Sequence, residues 1–301
     1  MTGPRAGASA SPAPAVMLVV AGLVCQEVGA SIAVLLFPEA GPLGMVLLRL
    51  GFSALILLAV TRPRLGGHSR RDWGAVGVFG FVLAAMNGLF YLALERLPLG
   101  VTVTIEVLGP LALAIATGRR VWSLVWAALA FAGVAALAGG GWDRLDPLGV
   151  AFALGAAAMW ALYILSSARV GAAFAKLDGL AWAMVVGAIV ALPFGVIDAG
   201  ATLLRPDILA LGAAVALLSS TLPYAFELIA LRRLAASAFA ILMSLAPAIA
   251  ALAGWALLGQ HLAWLEVAGI VVVIVASIGA IRGAGRAAAG RRVHEAVEPI
   301  G

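Results

Sequence analysis

The chain has 301 residues, 64% of them hydrophobic and only 11% charged, with a formal net charge of +5. So few polar groups cannot clothe a soluble domain, which leaves a chain that crosses a bilayer many times. A single cysteine excludes a disulfide framework, and the basic residues stand in short runs between apolar segments, which is how topology is set, not how nucleic acid is bound.

Residues 1–14 are rich in Pro, Ala and Ser and are expected to be a disordered cytoplasmic segment. The apolar run that follows is too long for a signal-peptide core and further apolar runs come after it, so it reads as a first crossing. At roughly 20 residues per crossing, ten spans fit: 15–36, 43–61, 73–94, 98–118, 121–140, 147–167, 179–198, 208–231, 236–258 and 263–282. Pro38, Pro42, Pro63, Pro98, Pro147 and Pro206 lie at or near the gaps, where proline breaks helices. One sense of insertion gathers fifteen basic residues on the cytoplasmic side: Arg5, Arg62, Arg64, Arg70, Arg71, Arg119, Arg120, Arg169, Lys176, Arg232, Arg233, Arg282, Arg286, Arg291 and Arg292. It leaves three outside, Arg96, Arg144 and Arg205. That bias predicts both termini in the cytoplasm.

The fourth span carries a lone carboxylate, Glu106, near its middle, and a Gly109-Pro110 pair one turn later. A related stretch recurs 137 residues on, where Pro247 matches Pro110 and Met243 matches Glu106. Leu/Ala-rich text aligns readily with itself, but the charge bias supports ten spans independently. The repeat divides the chain into halves of five spans, 15–140 and 147–282, followed by a basic cytoplasmic tail, 283–301. Five is odd, so the halves enter the membrane in opposite senses. The expected fold is an all-α polytopic membrane protein of ten transmembrane helices in two inverted five-helix repeats, with a substrate site near midplane between them.

Polar residues inside spans are costly and so are the functional candidates. Glu106 comes first. Thr102, Glu106, Gly109 and Leu113 share a helical face, and a carboxylate at that depth can take and release a proton. Pro110 frees a carbonyl one turn back, as membrane helices do beside cavities. Glu27 stands mid-span beside Gln26, as a second candidate for proton coupling or for binding a substrate ammonium. Arg49 suits a substrate carboxylate, because its planar fork matches one. Against these stands a structural reading in which Arg49 pairs with Glu27 or Glu106 and locks the helices. Asn87 and Tyr91 share one face of the third span; Ser220, Tyr224 and Glu227 share one face of the eighth, with Pro223 between them. Trp160 and Tyr163 lie in the sixth. Rings mixed with amide and hydroxyl groups suit a small amphipathic solute. Trp122, Trp126, Trp142 and Trp264 lie near span ends, as an interfacial belt does. Glu227 sits close to the expected cytoplasmic end, where a carboxylate can simply be solvated. His68, His261 and His294 fall in loops or the tail, so no metal site and no cofactor is expected.

Four stretches, Met86–Ile115, Ala153–Gly171, Leu218–Leu234 and Leu242–Gln260, resemble the drug/metabolite transporter superfamily in its EamA-type branch, and within it the bacterial threonine/homoserine exporters. The resemblance runs from about residue 15 to 282. It implies a multi-pass protein of the bacterial inner membrane that exports small metabolites, amino acids such as threonine or homoserine, by proton antiport. It also marks Arg49, Asn87, Glu106, Tyr224 and Glu227 as family-like positions. The chain departs from the pattern where it has Ala246-Pro247 for Glu-Pro, Gly259-Gln260 for Gly-Glu, and Glu27 for a small residue.

The expected partners are therefore a small-molecule substrate, protons and the lipid bilayer, with Glu106 and Glu27 in proton coupling. Arg49, Asn87, Tyr91, Tyr163, Tyr224 and Glu227 are expected near substrate, and Pro110, Pro223 and Pro247 as helix kinks. Broad drug efflux is the nearest alternative. A membrane enzyme lacks a nucleophile–histidine set or metal cluster inside the spans, and a passive channel or scaffold has no use for buried carboxylates.

Overall fold

The structure, a computed structural model, describes residues 13–118, 121–137, 145–231, 234 and 236–297. Arg119, Arg120, Arg144, Arg232 and Arg233, used above to read topology, and Trp142 of the expected interfacial belt lie outside the described residues, as do residues 1–12 of the expected disordered segment. The described chain is all-helical. Its helices are α1 Ala13–Ala40, α2 Pro42–Thr61, α3 Arg70–Leu94, α4 Leu99–Glu106, α5 Leu108–Gly118, α6 Val121–Leu137, α7 Pro147–Ala173, α8 Asp178–Ala199, α9 Pro206–Ala216, α10 Leu222–Leu231, α11 Ala236–Met243, α12 Ala246–Leu258 and α13 Trp264–Val297. A 3-10 turn, Gly200–Leu204, follows α8, and a π-helical turn, Leu217–Thr221, joins α9 to α10.

Among the described residues, eight helical segments are long and apolar enough to cross a membrane, and there are two shorter apolar helices, Leu99–Leu113 and Val125–Leu137. The helices are apolar on their outer faces as well as inside: Ile197 is 84% exposed and Phe131 72%. Only hydrocarbon solvates such a surface, so this is a multi-pass membrane protein.

Start signals in the sequence explain several boundaries. Ser69 Oγ accepts the Asp72 N–H at 3.2 Å while the Asp72 carboxylate accepts the Ser69 N–H at 2.8 Å, a reciprocal cap on α3. Asp146 Oδ1 accepts the N–H groups of Leu148 and Gly149 at 2.8 and 3.1 Å and starts α7, with Pro147 in the first turn.

Three prolines interrupt helices from within. The apolar stretch expected as one crossing from 98 to 118 is two helices, because Pro110 has no N–H to give the Glu106 carbonyl and α4 ends at Glu106. The stretch 236–258 is split in the same way: Pro247 cannot serve the Met243 carbonyl, and α11 ends at Met243. Pro223 leaves the Ser219 carbonyl without its helical donor, and the chain there takes the π-helical turn. Pro38, by contrast, is absorbed within the last turn of α1.

Packing places the breaks at the centre. α2 lies along α8, α3 between α7 and α8, α6 along α13, α1 against α10 and α12, and α4 against α12. One end of the bundle is tied across helices. Arg205 bridges Glu39 at 2.8 Å, the Asp198 carboxylate accepts the Leu43 N–H at 2.8 Å, Arg96 pairs with Asp146 at 2.9 Å, and Gln260 Oε1 accepts the Leu99 N–H at 2.9 Å. At that end α4 meets α12 closely, since a Cβ added to Gly100 would stand 2.8 Å from Ala251 Cα. The opposite end carries the C-terminus of α7 and the N-terminus of α8, where His68 stacks on Phe174 with ring centroids 3.9 Å apart.

Candidate functional site

A cavity of about 570 Å³ lies between α1, α2, α3, α7, α10, α13 and the two broken helices. The α4–α5 break brings Glu106, Val107 and Pro110 to its wall, and the α11–α12 break brings Met243 and Ser244. Gln26, Glu27, Arg49, Asn87, Tyr163, Tyr224 and Glu227 supply most of the remaining polar surface, and Met86, Phe90, Trp160 and Phe239 the large apolar part.

Glu27 is 1% exposed, and neither carboxylate oxygen makes a well-formed hydrogen bond. Ser31 Oγ donates to the Glu27 backbone carbonyl at 2.8 Å, not to its side chain. A carboxylate buried in that way carries a desolvation cost that the Arg49 charge and the neighbouring Gln26 side chain offset only in part. A second carboxylate, Glu106, shares the same cavity. Among the described residues neither glutamate forms an ion pair with Arg49, so the locking pair weighed from the sequence is not made.

Arg49 spends its donors elsewhere. Nη2 donates to the Ser219 carbonyl at 2.9 Å, Nε to Ser220 Oγ at 3.2 Å and Nη1 to Tyr91 Oη at 3.4 Å; its guanidinium carbon lies 5.6 Å from the centre of the Tyr91 ring. The carbonyl it satisfies is the one Pro223 orphans. The guanidinium is thus fixed by the broken backbone of α10 and by an aromatic face. Three of its five N–H groups are used, and it still lines the cavity.

The sequence candidates divide on this geometry. Glu27, Arg49, Asn87, Glu106, Tyr163, Tyr224, Glu227 and Pro110 meet at the cavity. Asn87 is held there by its Nδ2, which donates to the Leu83 carbonyl at 2.8 Å. Tyr91 is fully buried between Phe37, Phe90 and Arg49, behind the wall and not on it. Pro223 and Pro247 act through the breaks they cause. On the face drawn for α4 and α5, Glu106 and Leu113 reach the cavity, Thr102 is fully buried, and Gly109 packs against the Ala157 carbonyl of α7. Glu227 reaches the cavity as well, despite its place near a helix end. Phe239, Ser277 and Ile281 also line it and were not singled out from the sequence; no polar pair or break marks Ser277 and Ile281 in the text of α13. Among the described residues no group of three or more His, Cys, Asp or Glu is placed to hold a metal ion.

A profile of the EamA-like transporter family matches residues 147–282. Over 268 residues, 88% of this chain and 90% of the relative, the sequence is 40% identical to the threonine/homoserine exporter RhtA of Salmonella typhimurium strain SL1344. The same figures hold for the threonine/homoserine exporter RhtA of Escherichia coli strain K12. A solved crystal structure superposes with a TM-score of 0.53 at 17% identity, covering 90% of this chain and 98% of that one, a likeness that speaks to the fold alone. The relatives are named as exporters, not enzymes.

Proposed function

The chain belongs to the EamA-like transporter family, and we propose that it exports small amino acids of the threonine and homoserine class in exchange for protons. The observation that carries this reading is the cavity, which brings a buried carboxylate, Glu27, and a half-buried one, Glu106, together with one fixed guanidinium inside a membrane-spanning bundle. A zwitterion fits that arrangement. Its carboxylate meets the free N–H groups of Arg49, and its ammonium meets Glu27 or Glu106. The remaining capacity of Asn87 and the mutually bonded hydroxyls of Tyr163 and Tyr224 can meet a side-chain hydroxyl. An ionised carboxylate at that depth needs a cation or a proton beside it. Substrate ammonium and proton then compete for the same oxygens, and that competition couples the two fluxes.

Alternating access follows from the two breaks. They fall 137 residues apart, at Glu106 and Met243, which supports two halves of five crossings of opposite sense. The bundle is tied at the end that holds Arg96, Asp146 and Gln260, and the positive-inside count places that end outside. The present arrangement is then the one open to the cytoplasm, with both termini cytoplasmic and the protein in the inner membrane. Rocking the halves loosens the α4–α12 contact and exposes the cavity to the other side.

The test is flux in vesicles of purified protein, with threonine and homoserine and an imposed pH gradient, for wild type and Glu106→Gln. Flux that follows the gradient in wild type and not in the variant is the expected result. A variant with full proton-dependent flux makes Glu106 structural. The aromatic and thioether part of the wall, Phe90, Trp160, Phe239, Met86 and Met243, favours a second reading, efflux of larger apolar cations. The same vesicles decide it: export of a lipophilic cation with no flux of either amino acid supports the second reading over the first.

A further inference from the structure

Beside the central cavity lies a smaller one of about 190 Å³. Tyr163, Tyr224 and Glu227 line both, so these three side chains form the partition between them. The small cavity opens at the end of the bundle opposite the Arg96–Asp146 tie. There the chain leaves α7 and turns through Lys176, whose left-handed backbone (φ 48°) ends the α7 direction and starts the approach to α8. Lys176 lines this cavity and is exposed to solvent.

Two charges of opposite sign therefore face one small space, Glu227 at its inner wall and Lys176 at its rim. They form no ion pair with each other. The walls are fixed: Phe79 packs on Tyr163 with centroids 5.3 Å apart, and Phe174 is held between His68 and Trp73. The volume is below the roughly 300–1,000 Å³ that drug-sized ligands occupy, and it suits one small amino acid.

We infer that this cavity is a second binding site, for a zwitterionic amino acid on its way to the central cavity, with Lys176 holding the α-carboxylate and Glu227 the α-ammonium. The inference rests on the export reading above and adds to it. Glu227 serves both cavities, so an ammonium bound to it can pass the Tyr163–Tyr224 partition without being released to apolar surface. A larger solute is stopped by volume and an uncharged one by the lack of a partner for either charge.

The experiment is threonine flux in vesicles for wild type, Lys176→Gln and Lys176→Arg, with 2-amino-1,3-butanediol, in which a hydroxymethyl group replaces the carboxylate, as a competitor. Both substitutions keep the backbone demand at this exposed turn unchanged. The expected result is a KM for threonine raised about tenfold in Lys176→Gln, the worth of one charge-assisted contact, with kcat little altered. Lys176→Arg restores KM to within about twofold, and the competitor inhibits wild type and Lys176→Gln equally. An unchanged KM in Lys176→Gln overturns the site, as does a competitor that weakens in parallel with threonine or fails to inhibit wild type. Wild-type vesicles that move neither threonine nor homoserine overturn the export reading itself, and this outcome is separate from a null effect at Lys176.

Discussion

Arg49 donates from Nη2 to the Ser219 carbonyl at 2.9 Å, and Ser219 stands four residues before Pro223, which has no N–H to give that carbonyl. The proline creates an acceptor and the arginine of another helix fills it. The bond joins α2 to the turn between α9 and α10 across 170 residues of sequence. It also orients a cation inside the bilayer without consuming it in an ion pair.

This relationship predicts that Arg49→Lys is not conservative. A lysine has no planar fork and cannot serve the Ser219 carbonyl, Ser220 and Tyr91 together. The expected loss is about 2 kcal/mol of stability, the scale of hydrogen bonds to a charged donor, read as a fall in unfolding temperature of the purified protein. In Pro223→Ala, the new N–H at 223 competes for the Ser219 carbonyl, so Arg49→Lys costs less in that background. A double-mutant cycle should return a coupling of about 1 kcal/mol; additivity within about 0.5 kcal/mol contradicts the link.

Glu27 offers a test of function held at the expense of stability. Its oxygens are buried without a well-formed hydrogen bond, and burial outweighs the help of Arg49 and Gln26, so Glu27→Gln removes a charge that the fold compensates only in part. The variant is expected to unfold at a higher temperature, by the equivalent of about 1 kcal/mol, and to carry less amino acid per unit of proton gradient. A lower unfolding temperature with unchanged flux reverses the argument, and makes Glu27 a structural residue.

How much of this was legible beforehand depends on the kind of signal. The apolar runs marked the helices because hydrocarbon demands about 20 such residues, and Pro110 marked a break because its missing N–H is written in the sequence. Which face of each helix looks inward was not legible. With apolar residues all round, as Ile197 and Phe131 show, no period separates lipid from core. Tyr91 therefore read as a cavity residue although it lies behind Arg49. The structural alternative for Arg49 offered only a glutamate as its partner, because a backbone carbonyl freed by a distant proline leaves no trace beside position 49. The place of Lys176 was hidden for a similar reason: in the sequence it is one more basic loop residue, and only the fold sets it at a small cavity shared with Glu227.

The tied end of the bundle predicts a conformational bias. Gly100 meets Ala251 so closely that a side chain there displaces α12 from α4, and Gln260 loses its bond to the Leu99 N–H when the helices part. Gly100→Val is expected to favour the arrangement open at that end. In a Cys25→Ser background, a cysteine at the fully buried Thr102 should react with a membrane-impermeant maleimide several-fold faster when Gly100→Val is added. Equal labelling with and without the substitution rules out the α4–α12 contact as the closure.

The Arg96–Asp146 pair at the same end carries a pH dependence that can be worked out in sign. The Gly149 N–H, the Arg96 side chain and the Leu148 N–H hold the Asp146 carboxyl below its ordinary 3.8. The folded state thus favours the ionised form. Its contribution is fully present above the ordinary carboxylate value and is lost as pH falls through the lower folded value. Asparagine caps a helix about as well as aspartate, so Asp146→Asn removes the charge and the pairing with Arg96 while keeping the cap. Wild type should therefore unfold above the variant at pH 7, with the gap closing below about pH 4 and narrowing further in high salt, because the pair is about one-third exposed. A gap that stays constant from pH 7 to pH 3 shows that the ionised carboxylate contributes nothing at this helix start, and that the cap alone positions α7 beside the loop carrying Arg96.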